Sequence, residues 1–176
     1  MKIERVWAMP NKWTFQIKPI AELLKRYNVG KGWVDVFPGE THICEYESDG
    51  KDGLYYVSGF DDNFFDGALL DPPYSYRQLF KTYRTGSKAL VGRLVPMTEV
   101  NNRIAYKLKE GGYCISFGWN SNGLGIKRGY KIVEIFLVAH GGHHNDTIVT
   151  VEKNIMPYID ESEMLSKEGN PMDGEC

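Results

Sequence analysis

The chain has 176 residues, of which 42% are hydrophobic and 13% aromatic, so it can bury a sizeable core without disulfide or metal staples. Its formal net charge is −2, but residues 160–176 hold six acidic side chains against one lysine. Residues 1–159 are therefore mildly basic, without the strongly basic footprint of a dedicated duplex-binding module. We expect one domain over residues 1–159 and an acidic, mobile tail over residues 160–176.

The sequence also predicts a soluble, cytoplasmic protein without a membrane partner. No apolar run approaches 18 residues, and Met1–Arg5 is not followed by the apolar core of a signal peptide. The three cysteines, Cys44, Cys114 and Cys176, are odd in number and lack metal-type spacing, which favours a reducing compartment.

The predicted elements begin with a helix over residues 21–27, which follows the segment Thr14–Ile20. The apolar run Trp33–Phe37 then ends in the turn Pro38-Gly39. Between Gly39 and Ile43 there is no room for a helix, although a parallel crossover normally needs a dozen or more residues. A helix N-terminus that could face a ligand is therefore missing at this turn.

The most informative stretch is Asp71-Pro72-Pro73-Tyr74, which directly follows the apolar run Gly67–Leu70. In open α/β sheets ligands gather at the carboxyl ends of strands, and this tetrapeptide lies at one. Neither proline has an N–H group, so the carbonyl groups there can point at a ligand. The alternative is a strand that simply stops at a Pro-Pro turn, with Asp71 as an ordinary turn acid.

The second half of the chain predicts two helices and then three strands. The helices cover Tyr76–Tyr83 and Glu99–Lys109, and Gly111 and Gly112 stop the second one. The strands are Tyr113–Trp119, Tyr130–His140 and Thr147–Glu152, of which the last two form a hairpin around the turn Gly141–Asp146.

Residues 7–151 resemble small DNA adenine N6-methyltransferases of the Asp-Pro-Pro-Tyr type, of the kind found in phages and mobile elements. Besides the tetrapeptide, the resemblance includes Ser75-Tyr76-Arg77-Gln78 and the Lys109–Gly112 turn before a strand. It implies an α/β, Rossmann-like S-adenosylmethionine-dependent methyltransferase fold with a mostly parallel sheet, an antiparallel terminal hairpin and few helices on the cofactor side. The implied activity is transfer of a methyl group to the N6 amine of adenine in DNA.

The residue types of the tetrapeptide suit this chemistry. The exocyclic amine of adenine is a poor nucleophile, because its lone pair is delocalised into the ring. The Asp71 carboxylate and the Pro72 carbonyl would accept the two amino hydrogens and localise the lone pair as attack begins. Tyr74 would offer a stacking face to a base that has been flipped out of the duplex.

The resemblance implies a role for individual residues of this chain. Catalysis falls to Asp71, Pro72, Pro73 and Tyr74. The cofactor S-adenosylmethionine would be held by Phe15, Lys18, Asp35, Phe37, Gly39 and Glu45, with Glu45 on the ribose hydroxyls. DNA would be contacted by Ser75, Arg77, Trp119, Lys127 and Arg128.

The cofactor half departs from the family's usual first motif, Asp-Pro-Phe-Ala-Gly-x-Gly. Val36 replaces the proline, Pro38 replaces the alanine, and Glu40 stands near the expected second glycine. We therefore expect a degenerate cofactor-binding half.

A second departure concerns the acid that in this family follows the third strand and contacts the adenine ring of the cofactor. In the resemblance this acid aligns with Ser58, which lies in the stretch Tyr55–Gly59. Asp61 or Asp62 would substitute for it if the register differs.

A histidine cluster near the second glycine-rich turn suggests a metal site, since His140, His143, His144 and Asp146 carry suitable ligand atoms. Their spacing matches no common site, and Gly141-Gly142 marks a hairpin turn. We therefore expect a structural turn or a phosphate contact here, and no metal.

No stretch is long enough to form a separate target-recognition domain, so a homo-oligomer or a second subunit would supply target recognition. Two alternatives stay open. One is a catalytically inactive methyltransferase-fold subunit that binds nucleic acid or a partner protein. The other is an enzyme whose acceptor is RNA or a free nucleotide.

Overall fold

The computed structural model describes residues 1–48, 52–72, 97–142 and 144–156. The helices in these ranges are α1 (Lys18–Arg26), α2 (Gly53–Ser58) and α3 (Met97–Lys107), with short 3-10 turns at Thr14–Gln16 and Ile126–Arg128. The strands are β1 (Lys2–Trp7), β2 (Trp33–Asp35), β3 (Tyr46–Glu47), β4 (Phe65–Leu70), β5 (Leu108–Gly118), β6 (Tyr130–Ala139) and β7 (Thr147–Asn154). The α/β class predicted from the sequence is confirmed.

All seven strands belong to one sheet, in the order β1-β6-β7-β5-β4-β2-β3. β1 is parallel to β6, and β5, β4, β2 and β3 are parallel to one another. β7 lies antiparallel between β5 and β6. Six of the described strands therefore run in one direction and end along one side of the sheet, which we call the carboxyl edge. The opposite side is the amino edge.

Helices lie on both faces of the sheet. Leu69 and Leu70 are neighbours in β4 and point to opposite faces, as the pleat of a strand requires. Leu69 belongs to a core with Ile20 of α1, and Leu70 belongs to a second core with Ile104 of α3. β1 has no counterpart among the predicted elements, because its residues are mostly exposed and show no clear apolar period.

The stretch Tyr55–Gly59, which the resemblance aligns with the end of the third strand, instead contains most of helix α2. The Asp52 carboxylate caps this helix by accepting a hydrogen bond from the Tyr55 N–H at 3.1 Å. The prediction is wrong because the apolar and aromatic run is too short to show a period, and the capping residue decides the local conformation.

The predicted helix end at Leu108 and Lys109 is also wrong, since β5 begins at Leu108 directly after α3. Leu108 pairs with Phe65 of β4, and Gly111 lies inside the strand at φ +76°. The side chain of Asn154 donates hydrogen bonds to the Leu108 and Lys109 carbonyls at 3.2 Å. The predicted helix 76–83 and the tail 160–176 lie outside the described residues.

Glu134 of β6 connects the first strand and the first helix to the sheet. Its buried carboxylate accepts hydrogen bonds from the Arg26 guanidinium at 2.9 Å and from the Tyr27 hydroxyl at 2.8 Å, and Lys2 Nζ lies 3.2 Å away. Burial alone would raise the pKa of Glu134, but these donors together lower it.

Glu152 of β7 anchors the loop before β6. Its fully buried carboxylate accepts hydrogen bonds from the Leu124 N–H at 2.5 Å and the Gly125 N–H at 2.8 Å. Gly123 has φ +52°, and a Cβ there would lie 2.1 Å from the Glu152 carboxylate. Burial raises the pKa of Glu152, because the two backbone donors offset only part of the desolvation.

Among the described residues, no helix is long and apolar enough to cross a membrane.

Candidate functional site

Four neighbouring parallel strands deliver polar or aromatic residues to the carboxyl edge. Asp35 ends β2, Glu47 ends β3, Asp71 follows β4 and Trp119 follows β5. Asp35 pairs with Leu69 in the register between β2 and β4, so Asp71 lies two residues further along the neighbouring strand. The strand order thus assembles these residues at one place, although they are far apart in sequence.

Asp35 is the most buried of these residues, with none of its surface exposed. One carboxylate oxygen, Oδ1, accepts a hydrogen bond from the Phe37 N–H at 2.9 Å, whereas Oδ2 has no hydrogen-bond partner. Burial, and to a smaller extent the charges of Asp71 and Glu47, raises the pKa of Asp35 to about 7. A buried carboxylate that has one oxygen without a hydrogen-bond partner and lies near a second acid is typical of a ligand-binding site.

Two more buried oxygen atoms in the same region lack hydrogen-bond partners. They are Oε1 of Glu47 and Oγ1 of Thr41, which lies in the connection between β2 and β3. The other Glu47 oxygen contacts the imidazole of His42. An unpartnered buried polar group costs about 1–3 kcal/mol. Two such oxygens at adjacent strand ends, those of Asp35 and Glu47, therefore indicate a place for hydrogen-bond donors or positive charge.

Glu45, the residue expected to bind ribose, lies at the other end of the strand pair. It precedes β3, and its carboxylate accepts a hydrogen bond from the Gly32 N–H at 2.7 Å, at the amino end of β2. Glu47 occupies the strand end that was expected for Glu45. Sequence reasoning missed Glu47 because a strand of two residues shows no alternation that could fix its boundaries.

Asp71 and Pro72, the described half of the proposed catalytic tetrapeptide, are both partly buried at the carboxyl edge. Pro73, Tyr74, Ser75 and Arg77 lie outside the described residues. Trp119 is 59% exposed and follows the strand next to β4, so its ring lies at the same edge as Asp71.

The remaining cofactor candidates lie near the ends of β2 and β5. Phe15 is buried, and its ring contacts that of Phe117 in β5 with a centroid distance of 5.2 Å. Lys18, in the first turn of α1, is exposed. Gly39 lies against the indole of Trp13, where an added Cβ would come within 3.4 Å of the ring. The phenylalanine pair forms an apolar wall on the face of the sheet that α1 covers.

Asp61 and Asp62, the proposed substitutes for Ser58, lie at the amino edge because they precede β4. Asp62 forms an ion pair with Lys107 at 2.6 Å, and Ser58 donates a hydrogen bond to the Leu54 carbonyl within α2. Ser58, Asp61 and Asp62 therefore do not join Asp35 and Glu47 at the carboxyl edge.

Lys127 and Arg128 also lie far from Asp71. They immediately precede β6, whose ten residues span about 30 Å from the amino edge to the carboxyl edge. Arg128 donates hydrogen bonds to the Asn102 side chain and the Leu124 carbonyl at 2.7 Å each, which holds the loop against α3. The structure therefore separates these two residues from Asp71, and their contact with nucleic acid stays a prediction.

In the histidine cluster, His140 is held by contacts with one backbone carbonyl and two side chains. The His140 ring nitrogens contact the Ala8 carbonyl at 3.0 Å and the Thr147 hydroxyl at 2.9 Å, and Asp146 accepts a hydrogen bond from the His140 N–H. His143 lies outside the described residues. Within the described ranges, no group of three His, Cys, Asp or Glu side chains is arranged to hold a metal ion.

Comparison with known proteins gives little further information. No protein-family model and no curated protein matches the chain. A putative hemolysin from Streptococcus thermophilus has a similar solved structure, with a TM-score of 0.47 and 9% sequence identity over 91% of this chain and 79% of the hemolysin chain. A similarity this distant indicates neither a fold nor a function.

Proposed function

We propose that this protein is an S-adenosylmethionine-dependent methyltransferase that acts on the N6 amine of adenine in DNA. The observation that carries the proposal is the position of Asp71-Pro72 directly after β4, at the same edge as the buried, unpartnered oxygen of Asp35. These are the two strand ends at which the resemblance puts catalysis and donor binding.

The sheet supports the same proposal. A mostly parallel sheet with one antiparallel strand, β7, between β5 and β6 agrees with the Rossmann-like methyltransferase architecture expected from the resemblance. The connection between β2 and β3 contains no helix, which agrees with the expected reduction on the cofactor side.

The free oxygens at the carboxyl edge fit the chemical groups of the proposed donor. S-adenosylmethionine has ribose hydroxyls and an amino group that donate hydrogen bonds, and when bound it supplies a methyl group attached to a positively charged sulfur. Glu47 is the candidate for the ribose hydroxyls, and the unpartnered oxygen of Asp35 is the candidate for the positively charged end of the donor.

Asp71 and Pro72 would perform the activation of the acceptor. The Asp71 carboxylate and the Pro72 carbonyl accept hydrogen bonds from the two N–H groups of the amine. The nitrogen lone pair then becomes available for attack on the methyl carbon. The bound donor would supply the methyl group for the new N–C bond and would keep the electron pair of the carbon–sulfur bond that this replaces. The surplus proton on the nitrogen passes to Asp71 and then to water.

A second candidate is the inactive subunit of the same fold. The observation that favours it is the close packing of Trp13 on Gly39, because the donor-side turn then approaches an indole ring and offers no helix N-terminus. In that case the donor would bind weakly or only in the presence of a partner.

Transfer of labelled methyl groups to adenine-containing DNA tests the proposal. We expect labelling by the full chain and a loss of at least about a hundredfold for Asp71→Asn, which removes a charge-bearing acceptor but keeps the side-chain shape. Asp66→Asn is the matched control, since Asp66 lies on the same strand but is exposed and paired with Lys109 near the amino edge.

Equal labelling by wild type and Asp71→Asn would refute the assigned chemistry. No labelling by wild type, together with donor binding that appears only when a partner is added, would favour the inactive subunit.

A further inference from the structure

The carboxyl edge is acidic where the donor would bind. Three carboxylates, those of Asp35, Glu47 and Asp71, come from the ends of adjacent parallel strands, and the charges of Glu47 and Asp71 act on Asp35. His42 is the basic side chain that faces Asp35 and Glu47, and its ring is 60% exposed to water.

A second observation indicates that this cluster is built for a ligand. Asp35 is fully buried, yet its Oδ2 atom has no hydrogen-bond partner, and the same holds for the buried Oε1 atom of Glu47. Carboxylates that only stabilise a fold are normally fully paired, as Glu152 is with two backbone N–H groups in this protein.

We propose that the acidic carboxyl edge selects its ligand by charge, so that it binds S-adenosylmethionine at least tenfold more tightly than S-adenosylhomocysteine. This inference rests on the proposed methyltransferase function and adds a specificity to it. Asp35 is the main determinant, because it is fully buried and its Oδ2 atom has no hydrogen-bond partner.

The physical basis is the difference between the two ligands. They share the adenine, the ribose and the amino-acid end, and they differ by one methyl group and one positive charge on sulfur. Contacts to the shared groups cancel in the affinity ratio, so the ratio reports how the protein interacts with the charge. A tenfold ratio corresponds to about 1.4 kcal/mol.

Such a preference would limit inhibition by the product. When methyl transfer removes the positive charge on sulfur, the electrostatic attraction between the carboxylates and the ligand becomes weaker. The product is therefore released more readily. An enzyme with this edge would keep turning over when S-adenosylhomocysteine accumulates.

Isothermal titration calorimetry on the full chain tests the inference. The ligands are S-adenosylmethionine, S-adenosylhomocysteine and an analogue in which a protonated amine replaces the methylated sulfur. Titrations at pH 8.5 keep the Asp35 carboxyl ionised, since its pKa is about 7. We expect both cationic ligands to bind at least tenfold more tightly than the neutral one.

The variant Asp35→Asn should reduce this ratio to below threefold, whereas the remote control Asp66→Asn, exposed near the amino edge, should leave it unchanged. Thermal unfolding of each variant checks that it is folded. The wild-type ratio is informative even if Asp35→Asn fails to fold.

The outcomes separate the two proposals. Equal wild-type affinities for the cationic and neutral ligands would overturn charge selection and leave the methyltransferase proposal standing. Binding of none of the three ligands would overturn donor use, and charge selection with it.

Discussion

At the scale of single residues, Asp35 combines a structural cost with a proposed role in binding. Its carboxyl group is removed from water, receives one backbone hydrogen bond and lies near two other acids. Protein sites often retain such unfavourable groups because a ligand makes use of them, at the expense of stability.

The raised pKa of Asp35 makes stability depend on pH. In the unfolded chain this carboxyl ionises near its ordinary value of 3.8, whereas in the folded protein its pKa is about 7. Between these values the folded state holds the extra proton, so the contribution of this group to the free energy of unfolding falls as pH rises from about 4 to 7.

We therefore predict that Asp35→Asn stabilises the protein at pH 8.5 and has a smaller effect at pH 5, where the folded protein still holds the proton that the unfolded chain has mostly lost. The amide keeps the acceptor for the Phe37 N–H and removes the buried charge near Asp71 and Glu47, with a gain of about 1–3 kcal/mol or roughly 5 °C. Thermal unfolding at both pH values measures it. A destabilised variant at pH 8.5 would contradict the prediction.

Sequence reasoning reached Asp71 because it follows a recognisable apolar run, and it reached Asp35 through the resemblance to the first motif of the family. In the structure both residues lie at strand ends on one edge. For the acid at the end of β3, sequence reasoning selected Glu45, whereas Glu47 occupies that position in the structure. A strand of two residues has no alternation of apolar and polar residues that could fix where it ends. Sequence reasoning could not find Thr41, since nothing in the sequence shows that its hydroxyl is buried without a partner.

At the scale of elements, the conformation suggested by the local sequence differs from the observed one at two places. α2 forms where the resemblance suggested a strand, because Asp52 caps it. β5 starts four residues before Gly112 because Leu108 and Lys109 are held by β4 and by Asn154, which lies more than forty residues away in sequence. Contacts of that range cannot be read from a local pattern.

The loop before β6 depends on a single acid in β7, which leads to a prediction about Glu152. The variant Glu152→Ala leaves the Leu124 and Gly125 N–H groups buried without an acceptor, so we expect a loss of about 2–4 kcal/mol in urea unfolding. Glu110→Ala, on the exposed side of β5, should change stability by less than about 0.5 kcal/mol. Similar losses for both variants would show that the loop does not depend on this carboxylate.

At the scale of the whole molecule, the first and last thirds of the chain are joined by β1 and Glu134. β1 pairs with β6, and the Glu134 carboxylate accepts hydrogen bonds from Arg26 and Tyr27, which lie more than one hundred residues earlier in the sequence. The α/β class and the strands β4 to β7 could be predicted from apolar runs and glycine turns. The edge position of β1 could not, because an exposed strand has no alternation to reveal it.

We predict that Glu134→Gln lowers stability by about 1–3 kcal/mol at pH 7, because it weakens a buried charge-assisted network. The pKa of Glu134 is lowered in the folded protein, so its contribution is present above the ordinary pKa of 4.5 and lost as pH falls below the folded-state value. The difference between wild type and variant should therefore shrink in acid. Glu4→Gln, which affects a partly exposed pair with Lys2, is the control and should have little effect at either pH.

The connection from β2 to β3 has a consequence for the kinds of nucleotide that this protein can accept. Phosphate groups are usually held by backbone N–H groups at the start of a helix, and here the chain passes from Val36 to Glu45 without one. Asp35 and Glu47 would in addition repel a polyanion. We therefore expect the connection from β2 to β3 to favour a nucleoside without phosphate over dinucleotides such as NAD or nucleoside triphosphates.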